Sequence, residues 1–233
     1  LKLLFTVQGN FSGTTQVNLS FLDDARNDLR DARVLPGTIT VDGTPPKGSI
    51  VINNNKPYTN TQAVTLSLSA TDTNGVSHMQ FSNDGVTWST EEAFATVKEW
   101  TLTSGDGLKT VFVKYKDIPD NWSGAFSDSI NLDRGIPVTS PTPLGGIYCQ
   151  SQTVTLKANK AATIYYTTDG SIPTLSANKY ESPIIVSRTT TLKYFAEDLS
   201  GNREAVKTTD YTIDLSPPGG SIGINGDKPY ANS

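Results

Sequence analysis

The chain has 233 residues, of which 36% are hydrophobic and 18% charged, with a formal net charge of −4. That apolar share suffices for packed cores, the lack of a basic excess argues against nucleic acid as a partner, and no apolar run is long enough to cross a bilayer. One His and one Cys exclude an intrachain disulfide, a Cys/His zinc cage and haem attachment, and with them most enzyme classes.

Residues 1–44 read as three strands, LKLLFTV, TTQVNLSF and GTITV, too few to close a sandwich. Between them Leu22, Ala25, Leu29 and Ala32 fall near helical spacing and predict a helix over Leu22–Val34. Asp23, Asp24, Asp28 and Asp31 alternate there with Arg26, Arg30 and Arg33, the pattern of a salt-bridged, solvated segment. Elsewhere helix formers are sparse and Thr occurs 31 times, which argues for an all-β chain.

A repeat organises the remainder. Residues 45–61 (PPKGSIVINNNKPYTNT) and 217–233 (PPGGSIGINGDKPYANS) agree at 11 of 17 positions without a gap. A D-x-x-x-P signal recurs at Asp42/Pro46, Asp133/Pro137 and Asp214/Pro218, at intervals of 91 and 81 residues. Each interval suits one small β-sandwich, and Pro suits a junction because it fixes φ and cannot donate into a ladder. The segments are therefore 1–44, the end of one β-domain; 45–137 and 138–216, two complete sandwiches; and 217–233, the first strand (Gly220–Asn225) of a further repeat. Both ends are expected to pair with strands outside residues 1–233, by covalent continuation or by strand addition between copies.

The two complete units follow one plan. In the first, Val64, Leu66, Leu68 and Ala70 alternate with Thr65, Ser67, Ser69 and Thr71; in the second, Val154, Leu156 and Ala158 alternate with Thr155 and Lys157. Period two marks a half-buried strand. A D-G turn follows in each, at Asp84-Gly85 and Asp169-Gly170. A late alternating strand comes next, Val111/Val113/Tyr115 and Leu192/Tyr194/Ala196. It runs into Asp117-Ile118-Pro119-Asp120-Asn121 in one unit and Asp198-Leu199-Ser200-Gly201-Asn202 in the other. The expectation is two sandwiches of one topology with about seven strands each. Val64, Leu66, Leu68, Val111, Val113 and Tyr115 are expected inside the first, and Val154, Leu156, Ile164, Leu192 and Tyr194 inside the second.

The run Ala162-Thr163-Ile164-Tyr165-Tyr166-Thr167-Thr168-Asp169-Gly170-Ser171-Ile172-Pro173-Thr174 resembles the chitobiase/β-hexosaminidase C-terminal domain family, over about residues 144–214. That resemblance implies an Ig-like, non-catalytic accessory repeat of secreted bacterial proteins. The first unit, with LSATDTNGVSHMQFSNDGVTWS and KTVFVKYKDIPDNWS, resembles bacterial Ig-like repeats of multidomain surface proteins. Asp120-Asn121 stands where that pattern usually has Gly-Asn. The opening FTVQGNFSGTTQVNLSFLDDARNDLRDARVLPGTITVDG is similar to the C-terminal end of a cohesin-like domain.

Candidate chemistry is sparse. His78, with no second His, reads as a surface or strand-edge residue, since a triad or metal site needs partners. Glu91 and Glu92 are adjacent, so on a strand they point to opposite faces and cannot flank a scissile sugar bond. The acidic loops are the best candidates. Asp72, Asn74, Asp117, Asp120 and Asn121 offer the oxygens Ca2+ takes, and the same residue types also make Asx-turns with no ion. Asp198-x-x-x-Asn202 is the matching loop of the second unit. Trp88, Trp100, Trp122, Tyr165 and Tyr166 form either a sugar-stacking platform or sandwich core, with Trp122 the most openly placed. Cys149, at a strand start, reads as a buried, inert thiol. The function expected is a non-catalytic stalk, fibre or adhesin shaft of a long extracellular protein, with other protein domains or copies of itself as partners. The alternative is a carbohydrate-binding or spacer module of a secreted glycoside hydrolase.

Overall fold

In the computed structural model, residues 13–16, 38–220 and 222 are described. These residues are all-β apart from a three-residue 3-10 turn at Asn53–Asn55. The predicted helix over Leu22–Val34, the acidic stretch within it and the strand LKLLFTV lie outside the described residues. So does most of the strand expected at Gly220–Asn225, where Gly220 and Ile222 are described and carry no strand. Of the lead-in segment, β1 (Gly13–Gln16) pairs antiparallel with β2 (Thr38–Val41).

The chain divides into two compact units, Leu1–Asp133 and Arg134–Ser233. The first contains β3 (Lys47–Ile52), β4 (Tyr58–Thr59), β5 (Ala63–Thr71), β6 (Val76–Ser82), β7 (Glu92–Ala93), β8 (Val97–Thr101), β9 (Gly107–Asp117) and β10 (Phe126–Leu132). They form a five-stranded sheet in the order β4-β10-β9-β6-β7 and a three-stranded sheet in the order β3-β5-β8. The second unit contains β11 (Thr139–Thr142), β12 (Gly146–Tyr148), β13 (Gln152–Ala158), β14 (Ala162–Thr167), β15 (Asn178–Lys179), β16 (Ile184–Val186), β17 (Thr190–Asp198) and β18 (Lys207–Ile213). Its sheets run β12-β18-β17-β14-β15 and β11-β13-β16, the same order strand for strand. Even the unusual parallel pair recurs, β4 on β10 and β12 on β18.

Alternation explains which face turns in. Val64, Leu66 and Leu68 of β5 are buried, as are Val111, Val113 and Tyr115 of β9, while Thr65, Ser67 and Ser69 lie on the wetter face. Val154, Leu156, Ile164, Leu192 and Tyr194 are buried in the second unit. On β6 the inward residues are Met79 and Phe81; His78 and Gln80 face outward, and a register shift between Val76 and His78 resets the pleat. The D-G turns close as their chemistry requires. Asp84 accepts the N–H groups of Val86 (2.8 Å) and Thr87 (2.7 Å), and Gly85 takes a φ of +73°. Those donors hold the Asp84 carboxyl far below the usual carboxylate range.

The cores are filled differently. Gly48 and Ala70 pair across β3 and β5, and Thr139 and Ala158 pair at the matching place across β11 and β13. A Cβ on Gly48 would lie 2.5 Å from the Tyr115 ring and 2.6 Å from the Ser69 carbonyl oxygen. The Tyr115 hydroxyl donates to the Ser49 carbonyl at 2.7 Å. The second unit has Ala196 where the first has Tyr115, and Thr139 where it has Gly48.

Leu66 is fully buried. Leu66→Ala is expected to cost about 2–5 kcal/mol of unfolding free energy. Ser67→Ala, one residue along and on the other face, should cost about 0.5 kcal/mol or less. Urea titration of both variants checks the register; the reverse ranking would overturn it.

Candidate functional site

The acidic residues converge at one rim of the first unit, where three chain segments meet. Asp117 ends β9 and is fully buried. Its carboxylate accepts the Asn121 backbone N–H at 2.6 Å and the Asn121 side-chain amide at 2.8 Å, and its own N–H donates to the Asn121 carbonyl at 3.1 Å. The Ser77 hydroxyl donates to the Asp117 carbonyl at 2.6 Å. The late loop is thus clamped shut on itself. Asp72 follows β5 and accepts the Asn74 N–H at 2.8 Å. Asp42 lies between β2 and the start of the sandwich, and accepts the Thr44 N–H at 2.8 Å and the Asn74 side-chain amide. The Asn121 amide also donates to the Asp42 carbonyl at 3.0 Å.

One carboxylate oxygen each from Asp42, Asp72 and Asp117 lies within 4.8 Å of the others. Among the described residues no Lys or Arg forms an ion pair with any of the three. The Thr44 N–H and the Asn74 amide hold the Asp42 carboxyl below the usual carboxylate range, so it stays ionised at neutral pH. Hard oxygen donors on three converging segments are the donor set that a divalent cation takes.

Of the expected set, Asp72 and Asp117 carry the cluster. Asn74 and Asn121 brace it through their amides. Asp120 stands apart: its carboxylate pairs with Lys116 at 2.7 Å, and its backbone sits at φ +75°, where the second unit has Gly201 at +86°. Asp42 was legible in the sequence as part of the D-x-x-x-P signal, read there as a boundary mark and not as a ligand.

The second unit has the same clamp with a different occupant. The Asp198 N–H donates to the Asn202 carbonyl at 3.0 Å, and the Asp198 carboxylate accepts the Asn202 N–H (2.9 Å) and amide (3.0 Å). Pairing fixes the early loop: Ala70 and Ala158 hold matching places, so Lys160 stands where the first unit has Asp72. The Lys160 ammonium meets Asp198 Oδ2 at 2.8 Å and donates to the Gly135 carbonyl, in the segment leading into that unit, at 2.9 Å. Burial pushes the Asp198 carboxyl up, but the Lys160 ammonium and the Asn202 donors outweigh it and leave it below its ordinary 3.8.

The other sequence candidates are dispersed. Glu91 pairs with Lys116 (3.3 Å) and Glu92 with Lys98 (2.6 Å), so the two carboxylates serve different partners. His78 is half-buried, with Nδ1 shielded and lacking a partner. Trp88 and Trp122 are half-buried, with lysine ammonium groups 4.2 Å and 5.7 Å from their ring centres. Trp100 packs on Phe81, and Tyr165 is buried against Phe195. Cys149 is exposed, contrary to the buried thiol expected, because Tyr148, beside it, turns its ring onto Tyr211 and leaves the next side chain facing out.

Residues 143–208 match the family model of the chitobiase/beta-hexosaminidase C-terminal domain, a match confined to the second unit. No curated protein matches the chain in sequence. Among solved structures, the fibronectin(III)-like modules of Clostridium thermocellum CbhA share 11% identity over 74% of this chain and 100% of theirs, with a TM-score of 0.45. The D00-D0 domain of intimin shares 11% over 72% of this chain and 100% of its own, with a TM-score of 0.34. The BSP domain of a biofilm associated protein shares 13% over 74% of this chain and 30% of its own, with a TM-score of 0.25.

Removing the Lys160 ammonium leaves a buried carboxylate short of its charge partner. Lys160→Met is expected to cost about 2 kcal/mol at neutral pH, less than the 3–5 typical of a fully buried pair because the Lys160 side chain is 27% exposed. Asp198 has a lowered folded-state pKa, so its contribution is present above its ordinary value and lost as pH falls through the folded one. The deficit of the variant should therefore shrink below about pH 4, as read by chemical denaturation across pH.

Proposed function

We propose that this chain is a non-catalytic structural segment of a long extracellular bacterial protein, a stalk, fibre or adhesin shaft built from tandem Ig-like units. One observation carries the reading: two units repeat the same strand order in both sheets, and in each a rim side chain donates to a carbonyl of the lead-in segment, Asn121 to Asp42 in the first and Lys160 to Gly135 in the second. A unit that anchors its own lead-in suits a chain that transmits force from one sandwich to the next. The repeat of residues 45–61 at 217–233 supports a longer series of the same kind. Its partners are then other protein domains or further copies of itself. The carboxylates of Glu91 and Glu92, tied to separate lysines, offer no pair for general acid/base work.

A second reading rests on the family match of residues 143–208: a carbohydrate-binding or spacer module of a secreted glycoside hydrolase. On that reading Trp122 is the residue offered to a sugar ring, after Lys116 swings aside.

Pulling the whole chain by its ends separates shaft from catalyst. Two unfolding events of comparable length are expected, with no turnover of chitin, cellulose or peptide that scales with protein concentration. A single cooperative event, or measurable turnover, would overturn the shaft. Co-sedimentation with insoluble chitin tests the second reading: retention abolished by Trp122→Ala would establish it, and passage of the wild-type chain through unretained would remove it.

A further inference from the structure

In both units an early strand is joined directly to the strand by which the chain leaves. β4 lies parallel to β10, with Tyr58 opposite Asn131 and Thr59 opposite Leu132. β12 lies parallel to β18, with Gly146, Ile147 and Tyr148 opposite Tyr211, Thr212 and Ile213. The two joints correspond residue for residue. The Thr59 carbonyl accepts the Asp133 N–H at 3.0 Å, and the Tyr148 carbonyl accepts the Asp214 N–H at 2.9 Å. Those aspartates open the two later D-x-x-x-P signals. Counting back two residues sets Pro57 against Gly146. The Pro57 carbonyl accepts the Asn131 N–H at 3.0 Å, but its own nitrogen carries no hydrogen to return. Gly146 has that N–H, on the same side of β12 as the Tyr148 groups that bond to β18.

We propose that these parallel pairs are the load-bearing locks of the two units, and that the first unit, with the shorter lock and the missing donor, yields to tension before the second. Two strands that run the same way, one attached to the incoming chain and one to the outgoing chain, are dragged past each other along their length when the ends are pulled. Their hydrogen bonds then lie across the pull and must break together, whereas a ladder peeled from its end gives up one bond at a time. Forced unfolding follows the rate of that rupture and not the overall unfolding free energy. β3 and β11 also stand on the load path, ahead of the locks, and would give the opposite order if they bore the load. β3 pairs with β5 over six residues, while β11 pairs with β13 over four, one of them Pro141 without a donor. The inference deepens the shaft reading and rests on it only for its purpose.

The test stretches the whole chain by its ends in single-molecule force spectroscopy. The first unit is recognised by its larger release of chain, its repeat interval being 91 residues against 81. It should open at the lower force. Gly146→Pro removes the lock donor of the second unit and should bring the opening force of that unit down to that of the first. Gly146→Ala keeps the N–H, and its Cβ would meet the Tyr148 ring at an ordinary 3.6 Å, so the force should stay at the wild-type value. Pro57→Ala supplies the donor that the first unit lacks. It should raise the opening force of that unit without raising its melting temperature, because the freer unfolded chain offsets the added hydrogen bond. A first unit that outlasts the second would overturn the lock in favour of β3 and β11, as would an opening force unmoved by Gly146→Pro. Should Gly146→Pro fail to fold, Pro57→Ala decides, an unchanged force overturning the proposal. Two opening events that ignore these substitutions would remove the lock and leave the shaft standing, whereas turnover of a substrate would remove the shaft and leave the lock.

Discussion

The closure of one carboxylate onto an asparagine four residues later organises each rim. A strand that ends at the edge of a sandwich leaves backbone groups to satisfy, and water is not always at hand. Asp117 and Asp198 solve this in the same way, accepting a backbone N–H and a side-chain amide from Asn121 and Asn202 while donating their own N–H to that residue's carbonyl. The loop so fixed presents its aspartate, largely shielded from water, to whatever comes from the early loop and the lead-in segment. The charge placed opposite it then decides how the unit is fastened. The two rims share that buried carboxyl group and differ in what is set against it.

The cores show that topology and filling are separable. Tyr115 fills the space above Gly48, and its backbone N–H is taken by the Ser123 hydroxyl at 2.9 Å. In the second unit the small Ala196 takes the place of Tyr115. There the buried Glu204 carboxylate accepts from Ala196 N–H and Thr139 N–H, both at 3.0 Å, and from Lys207 at 2.9 Å. Ring plus glycine plus serine in one unit are exchanged for alanine plus threonine plus glutamate in the other. Packing density constrains the sum of what fills a site more than any one residue, provided each polar group brought inside finds partners.

Much of this was legible in advance because alternation is a direct consequence of the pleat. The inward faces of β5, β9, β13 and β17 follow from period two alone, and the D-G turns from the positive φ that glycine tolerates. The fastening of the rims was less legible. Asp72, Asp117 and Asn121 could be singled out by type, but Asp42 lies 75 residues before Asp117 in the chain, and no local pattern joins them. Equating Asp72 with Lys160 needed strand pairing: the loops after β5 and β13 differ in length, and only the Gly48–Ala70 and Thr139–Ala158 partners set them in phase. Cys149 went astray for a similar reason, since which side of a short edge strand faces inward is set by the neighbouring Tyr148 ring.

A lysine and an ion are not equivalent ways of neutralising the same carboxylate. An ammonium tethered to the chain is present in every folded copy, and its local concentration does not depend on the medium; it offers three donors and a single charge. A divalent ion carries twice the charge and can gather three carboxylates that no single lysine could satisfy, but its occupancy follows the concentration outside. Among the described residues the first unit gathers three carboxyl groups, with Asp42 reaching in from the lead-in segment. The second unit has the first solution, with Lys160 reaching out to the lead-in carbonyl of Gly135. The two rims thus differ in the charge type of the early-loop residue, Asp72 in one and Lys160 in the other, with the strand order and the Asp–Asn clamp left unchanged.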